Sequence, residues 1–230
     1  MKLPTEKTKA VNNTEQLCML IYGDPGIGKS TFCSQFPKAL FLATERGLDC
    51  LDTYQIPITT VAEIKEAGKL LRTEKNEFKT IIIDTLDRFY EIVRQEVLRD
   101  MGITHESEDK GHGRVYSMIY QRFYNLVDGF KSLPYGVVMV AHGKQKQETD
   151  RLGQVQYQTV PSVPEKALSK IIADIPLILY LDYAVDETGK DIRVIRAQPT
   201  QSYLAKDRTG KLPDTLPLDY KIFKEYFKNE

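Results

Sequence analysis

The chain has 230 residues, 41% of them apolar, with 32 lysines and arginines balanced by 32 aspartates and glutamates. That length suits one α/β domain with a sizeable core and is short for two. A net charge of zero excludes bulk charge as the means of holding a nucleic acid or a membrane, so any basic site is local. No apolar run approaches the roughly 18 residues that span a bilayer, and the polar N-terminus carries no signal core. Cys18, Cys33 and Cys50 are odd in number and lack CxxC spacing. They read as structural thiols, and the expected compartment is a reducing cytoplasm.

Residues 1–14 are polar and read as a flexible arm, leaving 15–230 as one domain. Residues 17–22 form a nearly continuous apolar run, as expected of a strand buried on both faces. A glycine-rich segment follows, Gly23-Asp24-Pro25-Gly26-Ile27-Gly28-Lys29-Ser30-Thr31, with a helix predicted over 30–36. Further strands are expected at 39–44, 80–84 and 136–141, and a helix at 61–73. Apolar residues at helical spacing mark 86–101 through Phe89, Tyr90, Val93 and Val97, and 116–133 through Ile119, Phe123, Val127 and Phe130. Residues 102–116 and 143–160 read as long polar loops, which inside a compact domain are usually functional or disordered. The runs 177–181 and 192–197, joined across 186–190, read as an antiparallel hairpin at the sheet edge. Strands alternating with helices make βαβ units, so the fold class is α/β, a mostly parallel sheet flanked by helices.

The spacing G-x-x-x-x-G-K-S, placed between a strand and a helix, is that of a phosphate loop. Its glycines let backbone N–H groups turn inward around phosphate oxygens, and the following helix points its positive end at the same anion. Lys29 reaches the β and γ phosphates, and the Ser30 hydroxyl ligates Mg²⁺. Asp84, at the end of the apolar strand 80–84, is the second metal-side group. No Asn-Lys-x-Asp element is present to read guanine, so ATP with Mg²⁺ is the expected ligand. Asp84 is followed by Thr85, and the next acid, Asp87, lies one helical step on. The base that activates water must then come from elsewhere, and Glu45 offers it at the end of the neighbouring strand.

This arrangement resembles the RecA-like ATPases, in which a strand ending in an acid presents the water-activating glutamate. The chain as a whole is similar to the small phage-encoded RecA-like recombinases that act in single-strand annealing. The features that carry the resemblance are residues 23–31, Ala43-Thr44-Glu45-Arg46-Gly47-Leu48, residues 80–87, Val140-Ala141-His142-Gly143-Lys144 and Ala205-Lys206-Asp207-Arg208-Thr209-Gly210. The resemblance implies a RecA-like core with Glu45 as general base. It implies that His142, where glutamine is usual, senses the γ-phosphate by donating a hydrogen bond. It makes the two polar stretches DNA-binding loops, with Lys110, Arg114, Lys144, Lys146 and Arg151 on phosphates and Tyr116 or Tyr157 stacked on bases. Lys206 and Arg208 resemble a Lys-x-Arg finger that reaches the γ-phosphate of an adjacent subunit. The implied partners are single-stranded DNA, further copies in a ring or filament, and a single-strand-binding protein, inside a phage-infected or bacterial cell. A helicase-type or regulatory motor, a small-molecule P-loop kinase and a nucleotide-switched binding module remain open. His105 and His112, beside Glu106, Glu108 and Asp109, lack regular metal-ligand spacing.

Overall fold

Successive side chains of a strand point to opposite faces, so an unbroken apolar run must be covered on both. The computed structural model of the chain describes residues 3, 5–7, 13–111, 113–149 and 153–228. Its first half holds β1 (Cys18–Gly23), α1 (Lys29–Cys33), β2 (Ala39–Ala43), β3 (Tyr54–Pro57), α2 (Val61–Thr73), β4 (Thr80–Asp84) and α3 (Leu86–Asp100). Then come α4 (Arg114–Lys131), β5 (Gly136–Thr149), β6 (Val155–Pro161), α5 (Glu165–Asp174) and β7 (Leu177–Val185). The chain closes with β8 (Asp191–Arg196), β9 (Lys206–Asp207), β10 (Thr215–Pro217) and α6 (Tyr220–Glu225).

The strands form one sheet in the order β10-β8-β7-β1-β5-β4-β2-β3, with β6 added to β5 and β9 to β7. Neighbours from β7 to β3 run parallel, and β8, β10, β6 and β9 pair antiparallel. Leu20, Tyr22, Leu40, Leu42, Ile81 and Ile83 face one core, which α2, α3, α4 and α5 close. Met19, Ile21, Phe41 and Ile82 face the other, where Phe32 of α1 meets Tyr220 and Phe223 of α6 edge to face. The expected α/β architecture is therefore present, and the β7–β8 hairpin turns at Asp186–Lys190. β8 is not the edge, however. The three-residue β10 lies outside it. The arm expected over 1–14 falls mostly outside the described residues. Its last member, Thr14, is buried with its hydroxyl 3.1 Å from that of Tyr220. Among the described residues no helix is long and apolar enough to cross a membrane.

The stretch 143–160 is a correction to the loop reading. β5 runs on past the sheet and pairs with β6 from Gly143 opposite Pro161 to Thr149 opposite Val155. Residues directly opposite share a face. Gln145 and Thr159, then Gln147 and Tyr157, lie on one side, and Lys144, Val160, Lys146 and Gln158 on the other. Val155, Tyr157 and Thr159 alternate with glutamines at the strand period, which was the signal that the polar composition hid.

The described residues 102–111 are likewise tied down. A 3₁₀ turn at Glu106–Glu108 buries the Glu106 carboxylate against Arg94. Arg94 donates Nε–H to Oε1 at 2.5 Å and Nη2–H to Oε2 at 2.8 Å. These bonds hold Glu106 below the usual glutamate range. Its contribution to stability is present above the unfolded-state value of about 4.5 and is lost as pH falls through the lower folded-state value. Arg94→Met keeps the stem but leaves a buried carboxylate unpaired. It should cost about 2 kcal/mol in urea unfolding and move the acid-unfolding midpoint upward; an unmoved midpoint would show that the pair does not hold this segment.

Candidate nucleotide site

β1 ends at Gly23, where a Cβ would lie 2.5 Å from the Leu181 carbonyl oxygen of β7, so only glycine fits between the strands. The loop that follows turns through Gly26 and through Gly28, whose φ of 107° is left-handed backbone and which starts α1. Ile27 is buried beneath it. Lys29 folds back over the loop, its ammonium donating to the carbonyl oxygens of Gly23 (2.9 Å) and Asp24 (2.8 Å). Burial lowers its pKa, while the charges of Asp84 and Asp87 oppose that shift. Ser30 donates its hydroxyl hydrogen to Asp84 Oδ2 at 2.7 Å. Burial raises the Asp84 carboxyl above the usual aspartate range, with the Ser30 bond acting against it. A hydroxyl and a carboxylate in contact beside a phosphate loop are hard oxygen donors of the kind Mg²⁺ takes together with substrate phosphates. These residues fit that cofactor.

The register of β2 against β4 places Ala43 opposite Asp84, so Thr44 and Glu45 emerge beside Thr85. The Thr85 N–H donates to Thr44 Oγ1 (2.7 Å), and the Thr44 hydroxyl donates to the Thr85 carbonyl (3.1 Å). The Thr85 hydroxyl donates to Glu45 Oε1 at 3.0 Å, and Arg88 Nε lies 3.8 Å from the same oxygen. The Asp84–Thr85 peptide is cis. β5 runs between β1 and β4 and brings His142 level with Gly23. Asp87 accepts from the His142 backbone N–H and lies 3.0 Å from its Nδ1. The polar atoms of Glu45, Asp87 and His142 sit within 4.8 Å of one another. The result is a cavity of about 340 Å³ lined by Gly26, Gly28, Lys29, Ser30, Thr31, Glu45, Asp84 and His142.

Among the described residues, the remaining sequence-derived candidates are not in this cavity. Lys206 pairs with Ile178, which is level with Leu20 and three residues short of the Leu181–Gly23 row. At about 3.3 Å per residue that is on the order of 10 Å from the loop. Its ammonium donates to the Ile172 and Ala173 carbonyls at the C-terminal end of α5, where a cation is favoured by the helix dipole. Arg208 follows in a turn organised by Asp207, which accepts from the Thr209 and Gly210 N–H groups and from Leu212. Lys144 donates to the Val163 carbonyl (3.3 Å), just before α5, and Lys146 to Glu165 (3.2 Å) in its first turn. Lys110 and Arg114 are exposed where α4 begins. Arg151 and His112 lie outside the described residues.

Sequence reasoning missed Thr85, Asp87 and Arg88 as neighbours of Glu45 and His142, although the segment 84–88 was in view. It also missed Arg193 and Leu218. A Cβ on Gly28 would lie 3.4 Å from Arg193 Nη1 and 3.5 Å from Leu218 Cδ2, so both abut the loop from the β8 side. No local signal marks them.

A family profile described as an AAA domain matches residues 15–209. The chain belongs to this family. As an AAA-domain protein with the loop, lysine, hydroxyl and carboxylate assembled above, it is a P-loop ATPase. It is 24% identical over 207 residues to the SPbeta prophage-derived uncharacterized protein YorG of Bacillus subtilis (strain 168), covering 86% of this chain. The chain spans 61% of the length of that relative. Among solved structures, the flagellar accessory protein FlaH from Methanocaldococcus jannaschii matches at a TM-score of 0.40 and 12% identity, covering 79% of this chain and 77% of its own. An ATPase from the type III secretion system of pathogenic bacteria matches at 0.44 and 14%, covering 75% and 56%.

Proposed function

We propose that this AAA-domain ATPase assembles on single-stranded DNA and couples Mg-ATP hydrolysis to strand annealing in recombination. The observation that carries this reading is the continuity of β5. One strand bears His142 at the nucleotide cavity and, a single residue later, enters the projecting β5–β6 hairpin. A change at the γ-phosphate would thus be transmitted to the hairpin along one backbone. The exposed face of that hairpin carries Gln145, Gln147 and Tyr157, the last 59% exposed. An aromatic ring among amides suits bases that stack without sequence readout. Lys144 and Lys146 serve phosphates less directly than the sequence suggested, since both side chains are engaged at the start of α5, on Val163 and Glu165.

In the reaction, Lys29 balances charge on the β and γ phosphates, and Glu45 takes the proton of the attacking water. Magnesium held through Ser30 and Asp84 would neutralise charge on the phosphate oxygens. In a ring or filament, Arg208 would be the cation that reaches a neighbour's γ-phosphate, since Lys206 is engaged on carbonyls at the end of α5. The prophage origin of YorG supports a phage or bacterial setting, in which a single-strand-binding protein is a natural partner.

The test is phosphate release measured with no DNA, with single strands and with duplex. Single strands should stimulate turnover most. Tyr157→Ala should weaken single-strand binding by about 1–3 kcal/mol, the usual value of one lost stack, without changing DNA-free turnover. Equal rates in all three conditions would remove DNA from the reading and favour a motor or switch with another client.

A further inference from the structure

His142 and Asp87 are joined twice, and the arrangement of the two contacts decides where the imidazole carries its hydrogen. The His142 backbone N–H donates to Asp87 Oδ1 at 3.3 Å, and ring Nδ1 lies 3.0 Å from Oδ2. A carboxylate offers only lone pairs, so Nδ1 must be the donor. In a neutral ring Nε2 is then an acceptor. In that neutral form Nε2 accepts rather than donates toward the γ-phosphate. Both side chains are largely shielded, 28% and 18% exposed, so water competes weakly for the contact. Glu45 shares the cavity with this ring.

We propose that Asp87 is a positioning residue that locks His142 in the Nδ1–H form, so that Nε2 and Glu45 together accept the two hydrogens of the attacking water. The proposal rests on the ATPase reading of the site. As the water oxygen bonds to the γ-phosphorus, the bond from phosphorus to the β–γ bridging oxygen breaks and its electron pair leaves with ADP. One water proton passes to Glu45. The other stays on the new phosphate, oriented by Nε2 until the bond has formed.

Asp87→Asn provides a test that keeps the shape. The amide has one oxygen and one NH₂. The backbone N–H of His142 requires the oxygen, which turns the NH₂ toward Nδ1 and forces the ring into the Nε2–H form. An equivalent substitution in the serine-protease triad acts through the wrong tautomer in the same way. Long-range ¹H–¹⁵N spectra of the imidazoles read this directly, and the signal of His142 among the three histidines is identified by its loss in His142→Gln. The neutral wild-type ring should be Nδ1–H and the Asp87→Asn ring Nε2–H. Turnover should fall by about tenfold to a hundredfold, as for one lost charge-assisted hydrogen bond, with ATP affinity unchanged. In a His142→Gln background the same Asp87 change should cost little, because no tautomer remains to be set. An Nε2–H wild type, an unflipped variant, or full additivity of the two changes would overturn the proposal. The spectra need neither ATP nor DNA, so a chain without turnover would sink the ATPase reading and the water-orienting role with it, while the tautomer lock is decided separately by the spectra.

Discussion

Lys29→Ala is expected to abolish ATP turnover and to weaken Mg-ATP binding by about 1.5–3 kcal/mol or more, the cost of losing a charge-assisted contact, without lowering the melting temperature of the free protein. The first half follows from position. The ammonium is buried against the Gly23 and Asp24 carbonyls, where a triphosphate wrapped by the loop would lie. The second half follows from the lowered pKa. A lysine whose folded-state pKa is depressed by burial carries a stability penalty below that value. The penalty is relieved as pH rises through it toward the unfolded value of 10.5. Removing the charge at neutral pH therefore lifts a cost while it forfeits two hydrogen bonds, and these act in opposite directions on stability. Thermal melts with and without saturating Mg-ATP separate the two effects. At a ligand concentration of about 100 wild-type Kd the wild type should gain about 2.7 kcal/mol, and the variant no more than about 1.3 kcal/mol. Titration calorimetry gives the affinity directly. Undiminished ATP affinity would mean that the nucleotide does not sit on this loop.

How much of this was legible in the sequence depends on how local each cause is. The central strands were legible because burial on both faces forces unbroken apolar runs, as in Thr80–Asp84. Helix α2 spans the 61–73 expected from its apolar spacing, and Thr60 and Glu63 form a reciprocal cap that fixes its start. α5 carried a readable stripe, Ala167, Leu168 and Ile171, after Pro164. At ten residues, directly after a long polar stretch, that stripe spans fewer than three turns and gives only a weak period. β3 and β10 are edge strands of four and three residues with mixed exposure, too short for any period to show. The phosphate loop is contiguous and announced itself. The pairing of Asp87 with His142 is not contiguous. It spans 55 residues and exists only because β5 inserts between β1 and β4 in a register that no local pattern encodes. The same holds for Lys206, where sequence could find the cation but not which end of β7 it would meet.

Glu45→Gln should leave ATP binding intact and reduce turnover by about 10²–10⁴-fold, the usual consequence of losing a general base. Glutamine keeps an oxygen to accept the Thr85 hydroxyl, so the knitting of Thr44, Thr85 and residue 45 that joins β2 to β4 is preserved. What disappears is a negative charge and the ability to hold a proton. The charge has its own effect on Asp84. Glu45 is among the groups that raise the Asp84 pKa, after burial, and removing it makes the Asp84 carboxylate easier to keep ionised beside Ser30. Metal-dependent ATP binding should accordingly be equal to wild type or tighter, while phosphate release collapses. That opposition is the diagnostic, since a variant that merely disturbed the fold would lose both. Calorimetry with Mg²⁺ present and steady-state phosphate release with single-stranded DNA are the two measurements. If turnover stays near wild type, Glu45 is not the base, and the Asp87–His142 pair, with Nε2 as proton acceptor, becomes the candidate that remains within 4.8 Å of it.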